Sequence, residues 1–110
     1  MKWSIHYYSA AVQAEILAMP AGFVARYFRY TDRMAQFGPD LGMPHTRAMG
    51  RGLFELRIQA TEGIARVFCC TVVGHRIVVL HQFTKKSEKT PPRELEIAMR
   101  RMREVINAQS

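Results

Sequence analysis

The fold is decided by residues 53–83, which read LFELRIQATEGIARVFCCTVVGHRIVVLHQF. This stretch contains three runs rich in β-branched and aromatic residues, as strands usually are. The runs cover 53–59, 64–73 and 76–83. A linker of four residues, 60–63, and one of two residues, 74–75, separate them, and each contains a glycine of the kind that tight turns favour. The sequence therefore predicts two consecutive antiparallel hairpins.

The N-terminal third predicts a strand and two helices. Large apolar and polar residues alternate over 3–7, which indicates a strand. Ser9 can then cap a helix over 11–19, which should end at Pro20 because proline cannot donate the next backbone hydrogen bond. A second helix is expected over 21–37, where aromatic residues recur at intervals of three and four.

The segments on either side of the hairpins complete the predicted fold. Residues 38–52 contain four glycines and two prolines without periodicity, and they predict a connecting loop that carries Arg47 and Arg51. A terminal helix should begin at Pro91 and Pro92. Its apolar face is expected at Leu95, Ala98, Met99, Met102 and Ile106.

These elements predict one α+β domain over residues 1–110, with a compact antiparallel sheet of about four strands, two N-terminal helices and a C-terminal helix. No apolar run approaches the ~20 residues of a membrane span, and no hydrophobic signal core follows the N-terminus, so a cytoplasmic protein is expected. Cys69 and Cys70 are adjacent within an apolar run. That spacing suits neither a structural disulfide nor a zinc site, and it predicts two buried thiols.

The charge of the chain indicates a polyanionic partner. It carries 16 Lys and Arg against 9 Asp and Glu, a formal net charge of +7, and 12 of the 16 cations are arginine. Arginine binds phosphate through a planar fork of donors, which makes a nucleic acid the natural candidate. Plain solubility is the alternative.

Hairpin register places several cations on one face of the predicted sheet. A four-residue turn sets Arg57 opposite Arg66, and a two-residue turn sets Arg66 opposite Phe83 and Phe68 opposite His81. One face then carries Arg57, Arg66 and His81, with Lys85 just beyond the strand. The opposite face should pack against helices and carries Phe54, Leu56, Ile58, Val67, Cys69, Val78 and Leu80.

Two arginines in direct cross-strand contact repel each other, and an anion bound between them would remove that cost. Alternatively, Glu55 neutralises one arginine and the others reach solvent. His81 is a candidate general base, since nearby guanidinium groups would disfavour its protonated form. Lysines 85, 86 and 89 follow the last strand and predict a phosphate-binding rim, although such a charge run is often only a solvated surface.

These segments resemble a known family. The runs Leu-Phe-Glu-Leu-Arg at 53–57, Ile-Ala-Arg-Val-Phe at 64–68 and Ile-Val-Val-Leu-His-Gln-Phe-Thr-Lys-Lys at 77–86, followed by Lys-Thr-Pro at 89–91, are similar to the phage-derived, HigB-like branch of the RelE/ParE toxin superfamily. The resemblance covers residues 53 to about 105, in order.

The resemblance implies the toxin of a toxin–antitoxin pair, a metal-independent endoribonuclease that cuts mRNA in the ribosomal decoding site by attack of the ribose 2′-hydroxyl on the adjacent phosphate. No cofactor is expected, and the implied protein partner is a helix-turn-helix antitoxin. Carried over by motif, the implied catalytic residues are Arg57, Arg66, His81, Lys85 and Lys86. Lys89, Arg47 and Arg51 are expected to contact RNA.

Two questions stay open from the sequence. RelE itself uses a tyrosine near its C-terminus, and no tyrosine follows Tyr30 here, so the general base is either His81 or a lysine with a depressed pKa. ParE-like relatives act on gyrase, which leaves a gyrase inhibitor or a non-catalytic basic RNA-binding module as the alternative function.

Overall fold

A computed structural model describes residues 2–85 and 90–109, with the side chain of Lys85 outside that description. The elements are β1 (Ser4–Tyr7), α1 (Ala10–Leu17), α2 (Ala21–Phe37), β2 (Thr46–Gly50), β3 (Leu53–Ala60), β4 (Gly63–Val72), β5 (Arg76–Lys85) and α3 (Pro92–Ala108). The α+β class, the three helices and both hairpins are as predicted. Among the described residues, no helix has the length and apolar character needed to cross a membrane.

The strands form one five-stranded sheet in the order β1-β5-β4-β3-β2. Strand β1 pairs with β5 in parallel, whereas the other neighbours are antiparallel, so the sheet is mixed rather than purely antiparallel. The prediction of an unstructured loop over 38–52 is wrong at β2, which pairs with β3 through Thr46 with Leu56 and Arg47 with Glu55. This strand was missed because its pairing depends on the free edge of β3 and not on any alternation of its own.

Helices cover both faces of the sheet and produce two cores. Helices α1 and α2 pack on one face, where Phe23, Tyr27 and Ile16 are fully buried. Helix α3 packs on the other face through Ala98 and Met102, whereas Ile106, predicted on the same apolar stripe, is 39% exposed. The fold thus has three layers, with Arg57, Arg66 and His81 on the α3 face.

The helix boundaries follow from local chemistry. The Ser9 hydroxyl accepts a hydrogen bond from the Val12 amide at 3.2 Å, as expected of an N-cap. Helix α2 ends at Gly38, whose φ of 90° lies in the left-handed region that glycine adopts at little cost. Pro92 occupies the first turn of α3, where the missing amide proton costs nothing.

The register between β4 and β5 corrects one predicted detail. Val72 lies opposite Arg76, so the turn is one residue longer than predicted, and a β-bulge between Phe68 and Cys69 absorbs the difference at Leu80. Beyond the bulge, Phe68 faces His81 as predicted. The Leu80 carbonyl accepts a hydrogen bond from Arg101 Nη1 of α3 at 2.8 Å, which satisfies the interrupted ladder.

The bulge also changes which core two residues join. Val78 and Leu80 were predicted on the same face as Leu56 and Cys69, the face that packs against α1 and α2. Both instead belong to the core beneath α3, with Phe68, Cys70 and Phe83. The prediction failed because a two-residue turn gives the wrong parity for the first half of β5.

The two cysteines are free and buried, as predicted. Neighbouring strand residues point to opposite faces, so Cys69 lies in the α1–α2 core and Cys70 in the α3 core. Burial raises the pKa of Cys70 to about 11 and also raises that of Cys69.

Candidate functional site

A pocket of about 130 Å³ lies over β2, β3 and β4 and is rich in arginine. Arg47 comes from β2, Arg57 from β3 and Arg66 from β4, so three strands each contribute one guanidinium group. The remaining lining residues are Met43, Pro44, Thr46 and Glu55. Three cations around one small pocket make an environment suited to an anion.

The strand register creates this convergence. Arg57 lies directly opposite Arg66, as the sequence predicted, and Arg47 lies opposite Glu55 on the neighbouring strand pair. Because residues opposite one another in an antiparallel pair project from the same side, all four side chains share one face. The structure therefore brings Arg47, predicted as an RNA-contacting residue of a connecting loop, next to the predicted arginine pair.

Glu55 is the central acidic residue of the pocket. Its Oε1 atom accepts a hydrogen bond from Arg66 Nη1 at 2.9 Å, and its Oε2 atom accepts one from the Thr90 hydroxyl at 2.5 Å. Glu55 and Arg66 are 2% and 3% exposed, so this is a buried ion pair. The alternative in which Glu55 neutralises one arginine is thus correct for Arg66, while Arg57 is partly buried in the pocket wall.

The segment before β2 forms the rim of the pocket and is tied down at several points. The Thr46 hydroxyl oxygen accepts hydrogen bonds from the amides of Leu41 at 2.7 Å and Gly42 at 3.0 Å. The Tyr30 hydroxyl of α2 lies 3.1 Å from His45 Nδ1. These contacts hold Met43 and Pro44, both exposed, at the mouth of the pocket.

His81 lies on the same sheet face but does not line the pocket. Its Nε2 atom is 3.0 Å from Oε2 of Glu94 in the first turn of α3, and its ring stacks on Phe83 with centroids 6.1 Å apart. Its Nδ1 atom is buried and has no hydrogen-bond partner among the described residues. The structure therefore couples the predicted histidine to α3, and its pair with Phe68 is the next same-face pair along β4 and β5 from the pair of Arg66 with Phe83.

The other predicted cations are placed differently. Arg51 occupies the turn between β2 and β3 and lines a separate groove with Leu53 and side chains of α3, so it does not join the pocket. The backbone of Lys85 ends β5 opposite Ile64. Lys86 and Lys89 lie outside the described residues.

Besides Glu55, which the sequence suggested only as a neutralising charge, three further polar residues of this region were not predicted as site residues. The Thr46 hydroxyl accepts hydrogen bonds from the rim, and the Thr90 hydroxyl donates one to Glu55. The Glu94 carboxylate contacts His81 Nε2. Of the three, only Glu94 carried a sequence signal, as an acidic residue in the first turn of a helix that begins with proline. Within the described part of the chain, no group of three or more His, Cys, Asp or Glu side chains could hold a metal ion.

The fold and site define a small basic α+β domain with an arginine-lined pocket at one end of its sheet. The chain matches the family described as "Phage derived protein Gp49-like (DUF891)" over residues 14–103, and it belongs to that family. Gp49-like proteins are part of the RelE/ParE-like toxin superfamily, which indicates the toxin of a toxin–antitoxin system with an antitoxin as its partner. A comparison with curated proteins finds no match.

Proposed function

We propose that this protein is a HigB-like toxin that inhibits translation by cutting mRNA on the ribosome, and that it acts in the cytoplasm. The observation that carries the proposal is the convergence of Arg47, Arg57 and Arg66 on one pocket. A phosphodiester is the anion in RNA that such a pocket would hold, and guanidinium groups bind its non-bridging oxygens through paired hydrogen bonds.

The proposed reaction is an internal transesterification. The ribose 2′-oxygen attacks the adjacent phosphorus, the bond from phosphorus to the 5′-oxygen breaks, and the products are a 2′,3′-cyclic phosphate and a 5′-hydroxyl. Negative charge grows on the phosphate oxygens in the transition state. Arg47 and Arg57 are assigned to those oxygens, because their side chains are more exposed than that of Arg66, which is buried against Glu55.

The leaving 5′-oxygen needs stabilisation and a proton. We assign this side of the reaction to His81 and to Lys85 and Lys86, with Lys89 and Arg51 as contacts to flanking RNA. Support for His81 comes from its position on the same face, one cross-strand pair away from Arg66. Glu94 would orient the ring through Nε2, so the proton donated to the leaving oxygen would come from Nδ1.

The proposed chemistry requires no metal held by the protein. The support is the donor set, which within the described residues contains no cluster of metal-ligating side chains. With ribosomal magnesium held constant, a chelator selective for transition metals should leave the cleavage rate unchanged. Restoration of a lost rate by an added transition-metal ion would contradict this assignment.

A translation extract tests the function directly. Wild-type protein should cut a reporter mRNA at defined positions, mapped by primer extension, whereas Arg57→Ala should lower the cleavage rate about 100-fold or more. Arg29→Ala is the matched control, because Arg29 is an exposed arginine of α2 outside the pocket. Intact mRNA together with blocked DNA supercoiling would instead identify a gyrase inhibitor, and RNA binding without cleavage would identify a non-catalytic module.

A further inference from the structure

Glu55 is the one carboxylate among the described residues that line the arginine pocket. We propose that Glu55 is the general base that accepts the 2′-hydroxyl proton, an inference that rests on the proposed ribonuclease function. The other described lining residues are arginines, which carry protons at all working pH values, and Met43, Pro44 and Thr46, which are poor proton acceptors near neutrality.

The contacts of Glu55 hold its carboxylate in one orientation. Arg66 binds one oxygen and Thr90 the other, and the side chain is 2% exposed. Each carboxylate oxygen has two acceptor sites, so these two contacts, counted over the described part of the chain, leave capacity for a substrate hydroxyl. A base fixed in this way needs no reorganisation when the substrate arrives.

The arrangement of charges also suits a base beside a phosphate. Arg47 lies opposite Glu55 on the next strand, and Arg57 is two residues along the same strand and on the same face. A phosphate held by these two arginines would bring the neighbouring ribose to the carboxylate. His81, by contrast, is coupled to Glu94 and does not line the pocket.

The proton balance of the step is complete. The O–H bond of the 2′-hydroxyl breaks and its proton passes to Glu55 as the bond from the 2′-oxygen to phosphorus forms. The bond from phosphorus to the 5′-oxygen breaks with its electron pair on oxygen, which takes a proton from His81, a lysine or solvent. Release of the proton from Glu55 to water restores the carboxylate for the next turnover.

The test is the pH dependence of single-turnover mRNA cleavage on ribosomes, at saturating toxin. We expect Glu55→Gln to lower the rate constant by about 100- to 10,000-fold, the usual contribution of a general base, and to remove the acidic limb of the pH–rate profile. Glu62→Gln is the matched control, since Glu62 is an exposed carboxylate in the turn between β3 and β4 and should leave both unchanged.

Loss of the Glu55 charge leaves Arg66 buried beside an amide, which could impair folding. If Glu55→Gln is unfolded by circular dichroism, the comparison becomes Arg66→Gln against the double variant Glu55→Gln/Arg66→Gln. We expect the first to keep the acidic limb and the second to lose it.

Two negative outcomes are distinguishable. If the wild-type protein cuts RNA while a folded variant without the Glu55 carboxylate stays within about threefold of its reference or keeps the acidic limb, the inference is overturned and the proposed function stands. If the wild-type protein leaves mRNA intact, the proposed function fails, and this inference fails with it.

Discussion

Arg57 and Arg66 face each other across β3 and β4, but they differ in what surrounds them. Arg66 is buried and bonded to Glu55, whereas Arg57 is only partly buried. Removing one member of a buried ion pair costs more than the pair itself contributes, because the remaining charge is left in a poorly solvated place. Replacement by alanine should therefore act mainly on stability at Arg66 and mainly on activity at Arg57.

We expect Arg66→Ala to lower the free energy of unfolding by about 3–5 kcal/mol, because it leaves the buried Glu55 carboxylate without its cation while the Thr90 hydroxyl still binds it. Arg57→Ala should change stability less, since it relieves a cross-strand repulsion, yet it should lower activity. Urea unfolding followed by circular dichroism measures the first effect. As a control, the double variant Glu55→Gln/Arg66→Met removes both charges and should recover most of the lost free energy of unfolding. If Arg66→Ala were as stable as the wild type, the buried ion pair would be contradicted.

His81 provides the second prediction for a single residue. If it donates a proton to the leaving oxygen, His81→Gln should flatten the alkaline limb of the pH–rate profile and keep the acidic limb. Lys85→Ala should lower the plateau by about 100-fold and keep both limbs, because it removes a charge-stabilising cation. Loss of the acidic limb in His81→Gln would instead identify the histidine as the general base, which is the role its sequence context predicted.

The pocket also depends on the segment that connects α2 to β2. Thr46 is the first residue of β2, and its hydroxyl oxygen accepts hydrogen bonds from two backbone amides of that segment. The segment carries Met43 and Pro44 at the pocket mouth. Thr46 is 1% exposed, so water cannot readily replace its hydroxyl. Thr46 is thus one of the side chains that hold the rim, together with the contact between Tyr30 and His45.

Thr46→Val should remove the shorter hydrogen bond of the Leu41 and Gly42 amides, which then keep only their 3.2 Å bonds to the Pro39 carbonyl and Asp40 Oδ1, and it should cost about 0.5–1.5 kcal/mol of stability. Amide hydrogen exchange should become faster at these two positions, and affinity for a short RNA should fall. Thr46→Ser keeps the hydroxyl and serves as the control. Unchanged exchange at Leu41 and Gly42 in the valine variant would show that these bonds do not order the rim.

At the scale of the whole molecule, the sheet separates two cores, and each contains one buried thiol. Burial raises the pKa of Cys69 and Cys70, and burial with a hydrogen bond to Tyr7 raises that of Tyr27. An acid whose pKa is higher in the folded state loses its proton first in the unfolded chain. Stability is therefore unaffected well below the ordinary thiol pKa and falls as pH rises above it.

We expect the urea midpoint to fall as pH rises from about 9 towards 11, the pKa to which burial raises Cys70. At neutral pH, an alkylating reagent should modify neither thiol until the protein unfolds. Cys70→Ala should reduce the slope of the midpoint against pH. Fast alkylation of the native protein would contradict the burial of both thiols.

Elements with local signals could be predicted from the amino-acid sequence. Periodicity and proline predicted α2 over its observed range, and turn length placed Arg57 opposite Arg66, because side-chain direction alternates strictly along a strand. The pairing of Phe68 with His81 was also predicted correctly. The longer turn and the bulge at Leu80 were not predicted, but each shifts the register by one residue and the two shifts cancel beyond the bulge. Each of these features depends only on residues that are close to one another in the sequence.

Tertiary structure decided what distant segments do to one another. Strand β2 forms because β3 offers it a free edge, and that pairing brings Arg47 to the arginines. Glu55 meets Thr90 across 35 positions of sequence, and His81 meets Glu94 only because α3 packs on that face. Such contacts depend on the packing of helices and strands against each other, which no local sequence pattern encodes. For this reason the Glu55 carboxylate became a candidate base only in the folded molecule.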